Sequence, residues 1–133
     1  MDHSVRIWDM SSGACKRVLC RHTSLVGLLS MSPSFLVSGG ADGLVCVWDP
    51  TSGDLVQTFE HKFAVTAIQH DDTKVISGSD GLVRVTDIKS RKVRDLLSDE
   101  RSRVVSCVAF AGQLCVAVTR KETTSVDVWN FQR

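Results

Sequence analysis

The 133-residue chain has little aromatic surface: no tyrosine, three Trp and five Phe, 6% in all. They are dispersed, so the sequence offers no base-stacking platform for single-stranded nucleic acid. It also lacks an excess of either charge, with 16 basic against 15 acidic residues. That balance excludes a broad field for drawing in nucleic acid or an anionic membrane, and leaves only local anion recognition. No apolar run approaches the roughly 20 residues of a membrane-spanning helix. The opening "MDHSVRIWD" reads as a polar start running into a strand, not as a secretory leader. Cys15, Cys20, Cys46, Cys107 and Cys115 make an odd set with no paired spacing. Without a leader, they read as reduced thiols rather than a disulfide framework.

What the chain does have is repetition. Residues 36–49 read "LVSGGADGLVCVWD" and residues 75–87 read "VISGSDGLVRVTD". Residues 2–9, "DHSVRIWD", and 125–131, "SVDVWNF", speak parts of the same sentence. The closing positions Asp9, Asp49, Asp87 and Asn130 lie 40, 38 and 43 residues apart. A period near 40 ending in Trp-Asp marks a four-stranded antiparallel blade of a β-propeller.

The rest of each period fits. A turn follows each closing Asp ("MSSG", "PTSG", "IKSR"), then an apolar run ("CKRVLC", "LVQTF", "KVRDLL"), a polar loop, and two β-rich runs broken by a second turn. Gly13 and Gly53 suit a left-handed position; Arg91 there costs about 1 kcal/mol unless the turn changes shape. "KVRDLLSDERSRVV" has helical spacing at Val93, Leu96 and Leu97, but its place in the period predicts an outer strand and a loop. "LVCVW" is apolar on both faces, as a strand covered on both sides must be. The expectation is therefore an all-β chain, part of a propeller. Residues 1–22 give the outer strands of one blade, 23–60 and 61–99 two full blades, and 100–133 a final blade lacking its outer strand. Three and a fraction blades do not close a ring of seven or eight, so the expectation is also that of a fragment with open apolar ends.

These motifs resemble the WD-repeat family across essentially the whole chain. The resemblance implies a buried hydrogen-bonded chain of Trp48, Ser38, Asp42 and His22. In the next unit it implies His61, Ser77 and Asp80, with Thr86 where the Trp should stand. Trp129 survives in the last unit without the His or the turn Asp. The stretch "RHTSLVGLLSMSPSFLVSGGADGLVCVWD" with the divergent end "CVAVTRKETTSVDVWNF" is similar to the C-terminal propeller portion of F-box/WD-repeat proteins, the cell-division-control type of substrate receptor for SCF ubiquitin ligases. That implies a non-catalytic scaffold without a cofactor, working in nucleus or cytoplasm. Its partners would be a protein or phosphopeptide on the propeller's top face, and ligase subunits reached through an F-box that this stretch does not contain. The positions matching the family's phosphate-reading arginines are Gly27, Ala41, Thr66 and Ser106. None is basic, so those readers would lie on other blades. A WD-repeat scaffold of another pathway, in signalling or RNA processing, is the alternative.

Four further readings can be weighed. His22, Ser38 and Asp42 are the residue types of a hydrolase triad, although the repeat explains each of them as structure. Cys15, Cys20 and His22 have metal-ligating chemistry, but alternation along "CKRVLC" places the two thiols on opposite faces, and no metal is expected. "SGGADG" lies between two strands and opens no helix, so its glycines read as turn formers rather than a phosphate cradle. Arg101, Arg103, Arg120 and Lys121, grouped on the last blade, could bracket an acidic or phosphorylated segment, with Asp99, Glu100 and Glu122 interleaved.

Overall fold

The protein is known as a computed structural model that describes residues 2–97, 104–120 and 124–130. Every element in it is a strand, and every pairing is antiparallel. β1 (Ser4–Trp8) and β2 (Cys15–Cys20) form an N-terminal pair. β3 (Val26–Met31), β4 (Leu36–Gly40), β5 (Leu44–Trp48) and β6 (Leu55–Glu60) form the first full sheet in sequence order. β7 (Ala67–His70), β8 (Lys74–Ser79), β9 (Leu82–Asp87) and β10 (Val93–Leu97) form the second. β11 (Val104–Ala111), β12 (Leu114–Arg120) and β13 (Thr124–Asn130) form a three-stranded last sheet. Of the stretch with helical spacing, Val93–Leu97 is strand β10, with Leu96 opposite Val83 in the register that the repeat dictates; the loop expected after it lies outside the described residues.

Sheets stack face to face, and the core lies between them. Val37, Val45, Val47 and Phe59 of the first full sheet meet Val65, Val75 and Ile88 of the second. Ile76 and Val83, on the second sheet's other face, meet Val105, Val108, Cys115 and Ala117 of the last. Val5 and Leu19 of the N-terminal pair cover Leu36, Leu44, Cys46 and Trp48. β4 and β5 are buried along their whole length because each has a neighbouring strand at both edges and a neighbouring sheet on both faces.

The turn after each closing Asp is built alike three times. Asp49 Oδ1 accepts from the amides of Thr51 (2.7 Å) and Ser52 (3.0 Å), and Gly53 N–H returns to the Asp49 carbonyl at 2.9 Å. Asp9 with Gly13 and Asp87 with Arg91 repeat the return bond. Gly13 and Gly53 hold φ of 70° and 82°; Arg91 is forced to 58°, so the turn keeps its shape and the side chain bears the strain. Between the first two turns and the bodies of their sheets, one strand carries a β-bulge. Trp8 faces Cys15 while Ile7 faces Arg17, and Trp48 faces Leu55 while Val47 faces Gln57. The second sheet has none at this place: Thr86 faces Val93 and Val85 faces Arg94.

Candidate functional site

Loop residue His22, Ser38 on β4, Asp42 in the β4–β5 turn and Trp48 on β5 meet inside the first full sheet. Trp48 Nε1 donates to Ser38 Oγ at 2.9 Å, and Ser38 Oγ lies 2.8 Å from His22 Nε2. His22 Nδ1 lies 3.1 Å from both oxygens of Asp42. Donor and acceptor roles follow from chemistry. An indole N–H can only donate and a carboxylate only accept, so Ser38 gives its proton to Nε2 and Nδ1–H points at Asp42. Asp42 also accepts from the amides of Thr23 (2.8 Å) and Leu44 (3.0 Å), tying the loop to the turn. Burial alone would raise the Asp42 carboxyl; those two amides and the imidazole outweigh it and hold it below the ordinary carboxylate range. Gly40 makes the approach possible: a Cβ there would stand 2.4 Å from Asp42 Oδ1 and 2.7 Å from His22 Nδ1.

Three of these residues have the order of a hydrolase triad, yet the would-be nucleophile cannot act as one. Ser38 is fully buried, and its lone pair is held by the Trp48 indole. A substrate carbonyl has no path to it, so the arrangement stabilises the sheet.

The second full sheet keeps half of this. His61 Nε2 lies 2.7 Å from Ser77 Oγ, but Asp80 does not join them: it stands exposed in the turn, and His61 Nδ1 has no partner. Two local changes explain the departure from the expected set. Ser77 and Thr86 are one residue closer in sequence than Ser38 and Trp48, which shortens the turn. Ser79 also stands where Gly40 does, so a side chain fills the space that Asp42 uses; its hydroxyl bonds the carbonyls of Phe63 and Ala64 at 3.2 Å and 2.9 Å. Burial, helped by the Arg84 charge, pushes the His61 pKa down to about 4. Thr86, 1% exposed, leaves its hydroxyl oxygen without a partner.

An ion pair that the repeat did not suggest lies at the level of Ser77. Arg84 Nε and Nη2 grip Asp95 at 2.7 Å and 2.9 Å, and Nη1 donates to the Glu60 carbonyl at 2.5 Å, crossing to the first sheet. The signal was available: the corresponding facing pair in the first sheet is Cys46 and Thr58, and opposite charges in otherwise apolar strands ask for each other.

The thiol geometry differs from simple alternation. The extra residue at Lys16 carries Cys15 round to the side of Trp8, Arg6 and Ser4, which is also the side of Cys20. The two stand at opposite ends of that face, roughly 13 Å apart at strand rise, and among the described residues no group of three His, Cys, Asp or Glu could hold a metal ion. No helix among them is long and apolar enough to cross a membrane. Arg101, Arg103 and Lys121 lie outside the described residues, and of Arg120 only the backbone, paired with Val104 and Thr124, is described. Thr66, at a position matching a family phosphate reader, spends its hydroxyl on the Val105 carbonyl at 2.6 Å.

Repeated four-stranded sheets, each closing on the same Asp turn and the first locked by Trp, Ser, His and Asp, define a class of proteins built from one recurring β unit. The chain belongs to the WD40 family (WD domain, G-beta repeat), whose pattern matches residues 13–49 and 53–87. It is 33% identical, over 98% of its length, to the Regulator of rDNA transcription protein 13 of Saccharomyces cerevisiae, of which it covers 83%. It is 28% identical over its whole length to Cell division control protein 4 of the same yeast, and 32% identical over 81% to the F-box/WD repeat-containing protein sel-10 of Caenorhabditis elegans. It spans about a fifth of each of these two relatives, 20% in both cases. The fold superposes on the crystal structure of the computationally designed Ika4 protein with a TM-score of 0.86, covering 98% of this chain and 81% of that one at 28% identity. WD40 units serve typically as non-catalytic scaffolds that bind proteins.

Proposed function

We propose that this scaffold is the C-terminal propeller portion of an F-box/WD-repeat substrate receptor, holding its ring rigid while ubiquitin is transferred to a bound protein. One observation carries the reading: the match to Cell division control protein 4 runs the full length of the chain, through the weak second unit and the divergent last one. A generic likeness between WD repeats needs only the signature stretches. In such a receptor the phosphopeptide would be read mainly by other blades, and the ligase subunits would be met through the F-box, in nucleus or cytoplasm. Affinity capture of the tagged full-length protein tests this. Ubiquitin-ligase subunits in stoichiometric amount support it; a complex devoid of them contradicts it.

A second reading, a scaffold in another pathway, is favoured by the yeast rDNA transcription regulator. This chain spans most of that relative rather than a fifth of it. The same capture separates the two, because a scaffold of that kind would bring down no ligase.

A further inference from the structure

The two full sheets differ again at the end that carries the Asp turns. In the first, Phe35, Asp49 and Asp54 stand in one row at the ends of β4, β5 and β6, and Val47 faces Gln57 two rows further in. Val47 is fully buried, and Phe35 packs against the core shared with the second sheet. In the second, the same places hold Lys74, Asp87 and Lys92, with Val85 facing Arg94. Three cations thus stand where the first sheet has an aromatic ring, a carboxylate and an amide. Val85 is only half-buried, and a cleft of about 320 Å³ opens beside it, lined by Lys74, Val85, Asp87, Lys92, Val93 and Arg94. We propose that this cleft docks an acidic peptide, which sets an apolar side chain against Val85 between carboxylates drawn to the cationic rim.

Charge and shape select that ligand. The rim continues onto the turn, where residues 89–94 read "KSRKVR" against "TSGDL" at 51–55 of the first sheet. The chain as a whole is balanced, so this is a local excess, felt within roughly 10 Å at ordinary salt. Lys74 is fixed in place, its ammonium 2.5 Å from Asp71 and 4.4 Å from the centre of the Phe110 ring of the last sheet. Lys92 is exposed and forms no ion pair among the described residues, so its charge is available to a ligand. Asp87, the carboxylate in the lining, has Oδ1 engaged by the amide (2.7 Å) and hydroxyl (2.9 Å) of Ser90. Its charge still opposes an approaching anion, so a single carboxylate gains little and a run of them is required. Inorganic phosphate gains nothing from Val85. The described lining holds no aromatic ring, and with it no stacking platform for single-stranded nucleic acid.

The cleft lies at the opposite end of β8 from Gly78, whose carbonyl accepts from Thr66, and so apart from the face on which the family resemblance places a phosphopeptide. The inference adds a second docking surface and does not depend on which pathway the scaffold serves. Its test is fluorescence anisotropy of a labelled acetyl-EELEE-amide peptide titrated with the full chain. Saturation on the order of 0.1 mM is expected at low salt, weakened at least about fivefold in about 0.3 M NaCl. A QQLQQ peptide should not saturate, and EESEE should bind about fivefold more weakly. Lys92→Glu should weaken binding at least about tenfold. Lys62→Glu, the same charge change at the far end of the sheet, should leave it unaltered. No saturation by EELEE, an equal response to either control peptide, equal loss in the two variants, or displacement of EELEE by an equal concentration of decathymidylate would each overturn the proposal.

Discussion

Ser30 and His70 stand 40 positions apart in sequence and 2.8 Å apart in space, Oγ to Nδ1, each on the first strand of its own four-stranded sheet. The step of one period recurs along the stack: Ser32 meets Asp72, Thr66 meets the Val105 carbonyl, and Gln69 meets the Phe110 amide, with sequence separations of 40, 39 and 41. Equivalent places in successive units thus touch, which is what stacking of like sheets demands. The polar ties fix how one sheet sits on the next, while the valine-rich faces between them supply most of the burial.

Ser38 holds two partners that have no alternative. Ser38→Ala strands the Trp48 indole N–H and His22 Nε2 together, and should lower stability by about 1–3 kcal/mol. Ser77→Ala strands one group and should cost about 1 kcal/mol less. Urea denaturation of the two variants and the parent measures both.

Thr86 buries an oxygen without a partner, in a place where a methyl would sit as well. Thr86→Val is therefore expected to raise stability by about 1 kcal/mol, the cost of an unpaired buried hydroxyl. The same denaturation midpoint checks it.

Arg91 holds φ at 58° where the two sister turns use glycine. Arg91→Gly should relieve about 1 kcal/mol of left-handed strain, less a few tenths lost to the flexibility of glycine in the unfolded chain. A higher thermal midpoint, with unchanged Asp87 turn resonances, is the expected outcome.

Acid should weaken the protein in two stages. The first belongs to His61, whose folded pKa of about 4 lies below the 6.5 of a free imidazole. Between those values the unfolded chain takes up a proton that the folded one refuses, so stability is complete above pH 6.5 and falls as the pH drops towards 4, by about 3 kcal/mol in all. His70 is half-buried, and the desolvation outweighs its bond to the Phe35 carbonyl, so it acts in the same direction. The second stage comes from Asp42, Asp71 and Asp95, all held below the carboxylate range. Their contribution is present above about pH 3.9 and lost as the pH falls through their folded values. His61→Asn should flatten the first stage and leave the second.

Much of this was legible in the sequence, for a physical reason. A period of about 40 residues with Gly, Asp and Trp at fixed places records backbone turns and packing that few other residues satisfy, so strands and sheets could be placed by counting, while the first buried network was implied by the resemblance to WD repeats. What escaped was decided by single residues acting on space. Ser79 looks like a harmless replacement of Gly40, yet a Cβ at Gly40 would meet the Asp42 carboxylate, and with the turn one residue shorter Asp80 stands out in solvent. Lys16, one extra residue in a strand, reverses the alternation by which Cys15 and Cys20 were placed on opposite faces. Arg84 and Asp95 find each other only once β9 and β10 are in register.

The central claim is that two copies of one sheet differ in strength because one has a complete Trp–Ser–His–Asp chain and the other has half of it. Native-state hydrogen exchange on the folded chain compares them within a single sample. Amides of Leu44–Trp48 should exchange at least about tenfold more slowly than those of Leu82–Asp87, a difference of about 1.4 kcal/mol in opening free energy. Equal protection, or slower exchange in the second sheet, would contradict the account.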